Sequence, residues 1–302
     1  MASVSRREFV GGALAAAVVG AGSRGFQAAT CLAAPVPVLT TPKMQFGLVT
    51  YMWGAKWDLP TLLANCEKAK SYGVELRTEH AHHVEPNLSA AERSEVKKKF
   101  SGSPVKLIGL GTNEAFHSPD PAVVKKAIER AKEFIKLSHD IGGSGVKVKP
   151  NDLPADVPKE KTIEQIGKSL NELGKYAAGL GQQVRLEVHG QCAPLPIIAA
   201  IMAVADNPSV AVCWNSNRDD LKGDGLEKNF QLVEKRLGAT THVHELDSKK
   251  YPYTELFKLL KGIDYNGWVL LEASDKRDDY AAALAEQREI FDKLVRGKDS
   301  TG

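Results

Sequence analysis

Gly145-Val146-Lys147-Val148-Lys149, then an amphipathic stretch over 162–180, then Val184-Arg185-Leu186-Glu187-Val188-His189-Gly190 read as one strand-helix-strand unit. The fold follows from how often that unit recurs. Short β-rich runs lie at 45–52, 73–77 and 105–111 before it and at 210–214, 241–246 and 267–272 after it, which makes eight candidate strands. Between and after them run stretches with apolar residues at three- and four-residue spacing: 59–72, 89–100, 121–141, 196–205, 226–237, 253–263 and 279–296. Ile128, Ala131, Phe134, Ile135 and Leu137 show the helical period plainly. Strict alternation without a hairpin signal predicts a parallel sheet closed on itself, a single (β/α)8 TIM barrel over 44–298. An open doubly wound sheet would place a glycine-rich phosphate turn after its first strand, and Thr50-Tyr51-Met52-Trp53-Gly54 is not one. Gly142-Gly143-Ser144-Gly145 precedes a strand, so its expected role is a helix stop.

The first residues belong to a different kind of segment. Ser5-Arg6-Arg7-Glu8-Phe9 followed by a mild apolar run to Gly22 has the layout of an export signal, assigned to 1–34. Paired arginines ahead of a weak apolar run fit the twin-arginine type, with its export machinery as a partner and a periplasmic or otherwise exported destination; an ordinary secretory signal is the alternative. The run is too short and too rich in Gly and Ala to serve as a stable membrane anchor. The formal net charge is +3, and basic residues such as Lys97-Lys98-Lys99 sit among acids on helical stretches, so no nucleic-acid partner is expected. Cys66, Cys192 and Cys213 have no paired spacing, which argues against a disulfide framework or a thiolate metal cage. Cys66 and Cys213 read as buried thiols. A homo-oligomer is compatible with this composition.

In a parallel barrel the C-terminal strand ends form the working face. Four successive strands deliver Glu187 and His189, then Asn215, then His242 and His244, then Glu272 to that face. Two carboxylates, an imidazole and an amide oxygen suit a hard divalent ion such as Mn²⁺, Mg²⁺ or Co²⁺. Each residue taken singly could equally serve a salt bridge or hydrogen bond. Trp53 could stack on a ligand ring or seal the core; Glu75 could pair with Arg77; Glu114 and His117 could line the pocket or fix their loop. His80, His82 and His83 read as incidental surface histidines.

Leu186-Glu187-Val188-His189, His242-Val243-His244 and Leu271-Glu272 together resemble the xylose-isomerase-like sugar isomerase and epimerase superfamily, which includes ketose 3-epimerases, inosose dehydratases and barrel-type apurinic endonucleases. The resemblance spans nearly the whole chain after the leader. It implies a divalent metal held by Glu187, Asn215, His244 and Glu272, with Glu187 and Glu272 as the acid/base pair. Asn215 stands where the epimerases carry Asp, and Arg218 where they carry His. The first change weakens the metal site; the second offers a guanidinium for an anionic group, or a surface residue paired with Asp219 or Asp220. The implied function is an exported sugar isomerase or epimerase, or a related keto-sugar lyase, working by metal-assisted proton abstraction beside a carbonyl, with Trp53, Glu75, Glu114, His189, Arg218 and His242 lining the substrate site. The alternative is a carbohydrate-binding barrel that has lost full metal coordination and turnover. Endonuclease activity is a distant third.

Overall fold

The computed structural model describes residues 44–296. The leader assigned to 1–34, its paired arginines, and positions 297–298 lie outside the described residues. Eight parallel strands alternate with eight helices: β1 (Gln45–Val49), α1 (Leu59–Lys68), β2 (Gly73–Arg77), α2 (Ala90–Ser101), β3 (Lys106–Ala115), α3 (Pro121–Ile141), β4 (Gly145–Lys149), α4 (Lys159–Ala178), β5 (Gln183–Glu187), α5 (Leu195–Val204), β6 (Val210–Cys213), α6 (Gly225–Gln231), β7 (Thr240–Val243), α7 (Tyr253–Gly262), β8 (Trp268–Leu271) and α8 (Tyr280–Arg296). The ladder order is β6-β5-β4-β3-β2-β1-β8-β7. Between β6 and β7 only isolated bridges, Val212 to Leu237 and Asn215 to His242, complete a nearly closed barrel. Among the described residues no helix is long and apolar enough to cross a membrane.

Local chemistry explains the elements that frame the site. On α3 the Asp120 carboxylate accepts from the Ala122 amide, Pro121 occupies the first turn, and Val124, Ile128, Phe134 and Ile135 are buried on one face. Gly142 ends it at φ 90°, a left-handed conformation that costs glycine nothing, and the Gly143 N–H then donates to Ser138 O at 2.7 Å. The glycine cluster is thus the helix stop the sequence implies. Ser89 and Glu92 form a reciprocal cap at the start of α2. The helix expected over 226–237 ends at Gln231, with the Asn229 side-chain amide donating to the carbonyls of Asp220 and Lys222, and a 3-10 turn, Glu234–Arg236, follows.

The last strands are shorter than the pattern predicts. β7 ends at Val243 and β8 at Leu271, so His244 and Glu272 project from the first residues beyond the strands. Inside the barrel the filling is not purely apolar. Glu75, Lys147, Arg185 and His242 are fully buried and Glu187 is 1% exposed. Glycines on β3 leave room for them: a Cβ added at Gly109 would lie 2.9 Å from Arg185 Nη1, and one at Gly111 would lie 2.8 Å from Glu75 Oε1. Arg185 is satisfied below the mouth by Ser144 Oγ at 2.6 Å, Gln183 Oε1 at 3.0 Å and Ile108 O at 3.3 Å. All three cysteines are free and buried, and burial raises the Cys66 thiol to about 12.

Candidate active site

Three carboxylates converge at the barrel mouth: Glu187 and Glu272 are held by nitrogen donors and approached by cations, and Glu75 lies against the His242 ring. Glu187 ends β5 and Glu272 follows β8; the Asn215 side-chain amide donates to Glu187 Oε1 and to Glu272 Oε2, both at 2.9 Å. The opposite amide orientation would set Oδ1 against two carboxylate oxygens, so the neighbours fix the NH₂ inward. Lys147, pointing in from β4, places Nζ 2.8 Å from Glu187 Oε2. Arg77 from β2 reaches to 3.8 Å of Glu272 Oε1. His242 sits at the centre, with Nε2 3.3 Å from Glu75 Oε1 and Nδ1 3.5 Å and 3.7 Å from the oxygens of Glu187 and Glu272.

This crowding sets the protonation states. Burial alone would raise Glu187, but the Lys147 ammonium and His242 pull it well below the usual carboxylate range. Burial and the like charge of Glu187 push Glu272 up, and His242 with Lys147 outweighs them, so it too is lowered. His242 is raised well above the ordinary histidine range: burial opposes its charge, and the Cys213 sulfur and the Glu75 carboxylate overcome that. Lys147 is raised because Glu187 and Glu75 outweigh its burial. Two residues along the same face, burial and the charge of Lys147 bring Lys149 down to about 8. Its Nζ shares Asn113 Oδ1 with Arg77, at 3.3 Å and 3.0 Å.

Of the residues singled out from sequence, Glu187, Asn215, Glu272, Glu75 and His242 meet in one cluster. His244 is not one of the three residues whose ligand atoms lie within 4.8 Å of one another; its Nδ1 lies 3.0 Å from the backbone oxygen of Glu272. The histidine that faces the carboxylates is His242, which the sequence reading placed among the substrate-contacting residues. Backbone pairing explains the exchange: His242 bridges Asn215 across the β6 to β7 seam, and its N–H donates to Trp214 O at 2.6 Å. His189 stands at the rim with Nδ1 2.8 Å from Asn151 Oδ1. Trp53 is 1% exposed, stacks on Tyr280 at 5.6 Å and donates to Asp275 O, which is the sealing arrangement. Glu114 is half-buried near the end of β3, with its carboxyl raised by burial. His117 lies 3.4 Å from Asp152. Arg218 is exposed in the 3-10 turn Arg218–Leu221, and Asp219 pairs with Lys222 instead.

His82 corrects the surface reading of the histidine trio. It is buried, Nε2 donates to Arg77 O at 2.8 Å and Nδ1 accepts from the Val84 amide at 3.0 Å, so it pins the residue that carries Arg77; burial lowers it to about 4. The residue missed outright is Lys147. The alternation of lysine with valine along this strand shows that the two lysines share a face, but not that this face is the barrel interior.

Ligand atoms of Glu187, His242 and Glu272 all lie within 4.8 Å of one another, a spacing at which a metal ion could be held. Two neighbours would compete with it. Asn215 offers N–H groups where an oxygen donor is needed, and the Lys147 ammonium already contacts Glu187.

The chain matches the family described as Xylose isomerase-like TIM barrel over residues 63–294. No curated protein matches its sequence. Among solved structures it is similar to the 3-keto-D-glucoside 4-epimerase YcjR from E. coli, at 15% identity and TM-score 0.69, covering 84% of this chain and 99% of that one. It is similar to an L-ribulose 3-epimerase at 14% identity and TM-score 0.71, covering 84% and 95%. A third similar structure is the IOLI protein with a bound zinc atom, at 17% identity and TM-score 0.68, covering 83% and 98%.

Proposed function

Because the chain belongs to the xylose isomerase-like TIM-barrel family, we propose that it is a carbohydrate isomerase or epimerase that moves a proton at the carbon beside a carbonyl, with Glu187 and Glu272 as the acid/base pair. The observation that carries this reading is the single Asn215 amide bonded to both carboxylates: it sets two proton-transfer groups, from strands on different sides of the ring, around one point of the mouth. Epimerisation needs that arrangement, because the proton leaves one face of the carbon and returns to the other. Held low by Lys147 and His242, both carboxylates rest ionised; one accepts the proton from the substrate carbon, and the other must first take up a proton from solvent to return one to the opposite face. A substrate oxygen that takes over a hydrogen bond from one of these nitrogens would raise the proton affinity of the carboxylate it releases. Arg77 and Lys149, nearest the opening, are suited to bind the oxygens of an enediolate.

Incubation in deuterated water with a panel of ketoses, inositols and keto-glycosides should place deuterium beside the carbonyl of the true substrate. Glu187→Gln and Glu272→Gln should each reduce that exchange by about two orders of magnitude or more. Full turnover in both variants would refute the acid/base pair, and no exchange across the panel would favour a carbohydrate-binding barrel without turnover. We propose further that Arg6-Arg7 direct export: replacing both by Lys should retain the precursor in the cytoplasm.

A further inference from the structure

The mouth of the barrel contains a cation that belongs to the chain. Lys147 has no exposed surface, and its Nζ lies 2.8 Å from Glu187 Oε2. Around the same carboxylates Asn215 turns NH₂, not oxygen, toward both Glu187 and Glu272. Lys147 thus contacts Glu187, Arg77 approaches Glu272 to 3.8 Å, and the His242 ring lies 3.3–3.7 Å from oxygens of Glu75, Glu187 and Glu272. A divalent ion would have to share Glu187 with an ammonium at contact distance and approach Glu187 and Glu272 past the N–H groups of Asn215, and like charges so close together in a buried site repel strongly.

We propose that Lys147 holds the place of a divalent metal, so that the carboxylates of this barrel are organised by an ammonium and an amide and the chain takes up no ion at Glu187, His242 and Glu272. The inference rests on the geometry of the cluster and not on the reaction assigned to it. Only two residues stand between the present site and a metal site. His242 is already arranged for ligation, with Glu75 behind Nε2 and Nδ1 directed at Glu187 and Glu272. Lys147→Met would remove the competing charge, and Asn215→Asp would supply the missing oxygen donor and a further negative charge.

Full-length wild type, Lys147→Met and Lys147→Met/Asn215→Asp are titrated with Mn²⁺ by calorimetry, with thermal midpoints recorded in Mn²⁺ and in chelator. Wild type should contain no stoichiometric divalent ion by elemental analysis, and its midpoint should be the same in both media. The double variant should bind Mn²⁺ at least about a hundredfold more tightly than wild type, since each charge change at contact distance is worth a tenfold factor or more. Its midpoint should rise on adding Mn²⁺. A stoichiometric ion in wild type, or equal Mn²⁺ affinity in wild type and the double variant, overturns the proposal. Should the variants fail to fold, wild-type metal content and the chelator comparison decide it alone. Turnover is not measured in any arm, so this outcome is independent of the acid/base assignment.

Discussion

The β4–β5 ladder and the β6–β7 seam bring equally important groups to one site by opposite means. β4 and β5 pair at four consecutive positions, from Gly145 with Gln183 to Val148 with Leu186, and the rigid register sets Lys147 beside Arg185 and just below Glu187. β6 and β7 share only isolated bridges, yet Asn215 and His242 meet at one of them. At the ladder, backbone order positions the charges. At the seam the dependence runs the other way, since Asn215 crosses to Glu187 and Glu272 and Asn217 Nδ2 donates to Val188 O, so side chains help to close the ring. The polar cluster is therefore part of the wall as well as the site.

The sharpest way to break this contrast is to remove a charge from the ladder side. Glu187→Gln strands the fully buried Lys147 and should cost about 3–5 kcal/mol in denaturant unfolding, whereas Glu272→Gln, whose cationic neighbour Arg77 stands 3.8 Å away and is partly exposed, should cost clearly less. Equal losses would mean that Lys147 is not committed to Glu187. At the seam, Asn215→Ala deletes two bonds to buried carboxylates and should cost about 1–3 kcal/mol, with hydrogen-exchange protection falling first at the amides of Ser216 and His242. Protection falling instead along β4 and β5 would show that the seam is not the weaker join.

A further effect, read against pH and not as a single loss, concerns the loops above the seam. Asp220 is buried, and burial raises it from 3.8 to about 7, although the Asn217 amide and the Tyr251 hydroxyl both donate to it. A carboxyl whose folded value lies above its unfolded one holds its proton in the native state, so its stabilisation is complete below about 4 and is lost as the pH rises through about 7. Asp220→Asn should flatten that part of the stability profile. An unchanged slope between these values in the variant would assign it to another group.

The repeated alternation of strand and helix was legible because every β/α unit carries its own periodic pattern, and the glycines after α3 announced their helix stop. Glu187, Asn215 and Glu272 were legible because a residue at a strand's C-terminal end has only one face of the barrel to reach. The choice between His242 and His244 was not. Two residues apart they share a face, and which one meets the carboxylates depends on where β7 ends and on a bridge to β6 that no local pattern encodes. Lys147 was hidden for a different reason: a lysine in a strand reads as solvated until closure of the barrel puts both faces of that strand inside.

The join between β1 and β8 pairs four positions, so the first and last strands of the barrel are zipped together while the loosest join lies deep within the sequence. A permuted chain beginning at Gly223, in a loop where an added Cβ would meet nothing within 4 Å, would move that loosest join close to its new ends. The wild-type ring should accordingly breathe from its middle, admitting solvent beside Asn215 and His242 while its outermost strands stay shut.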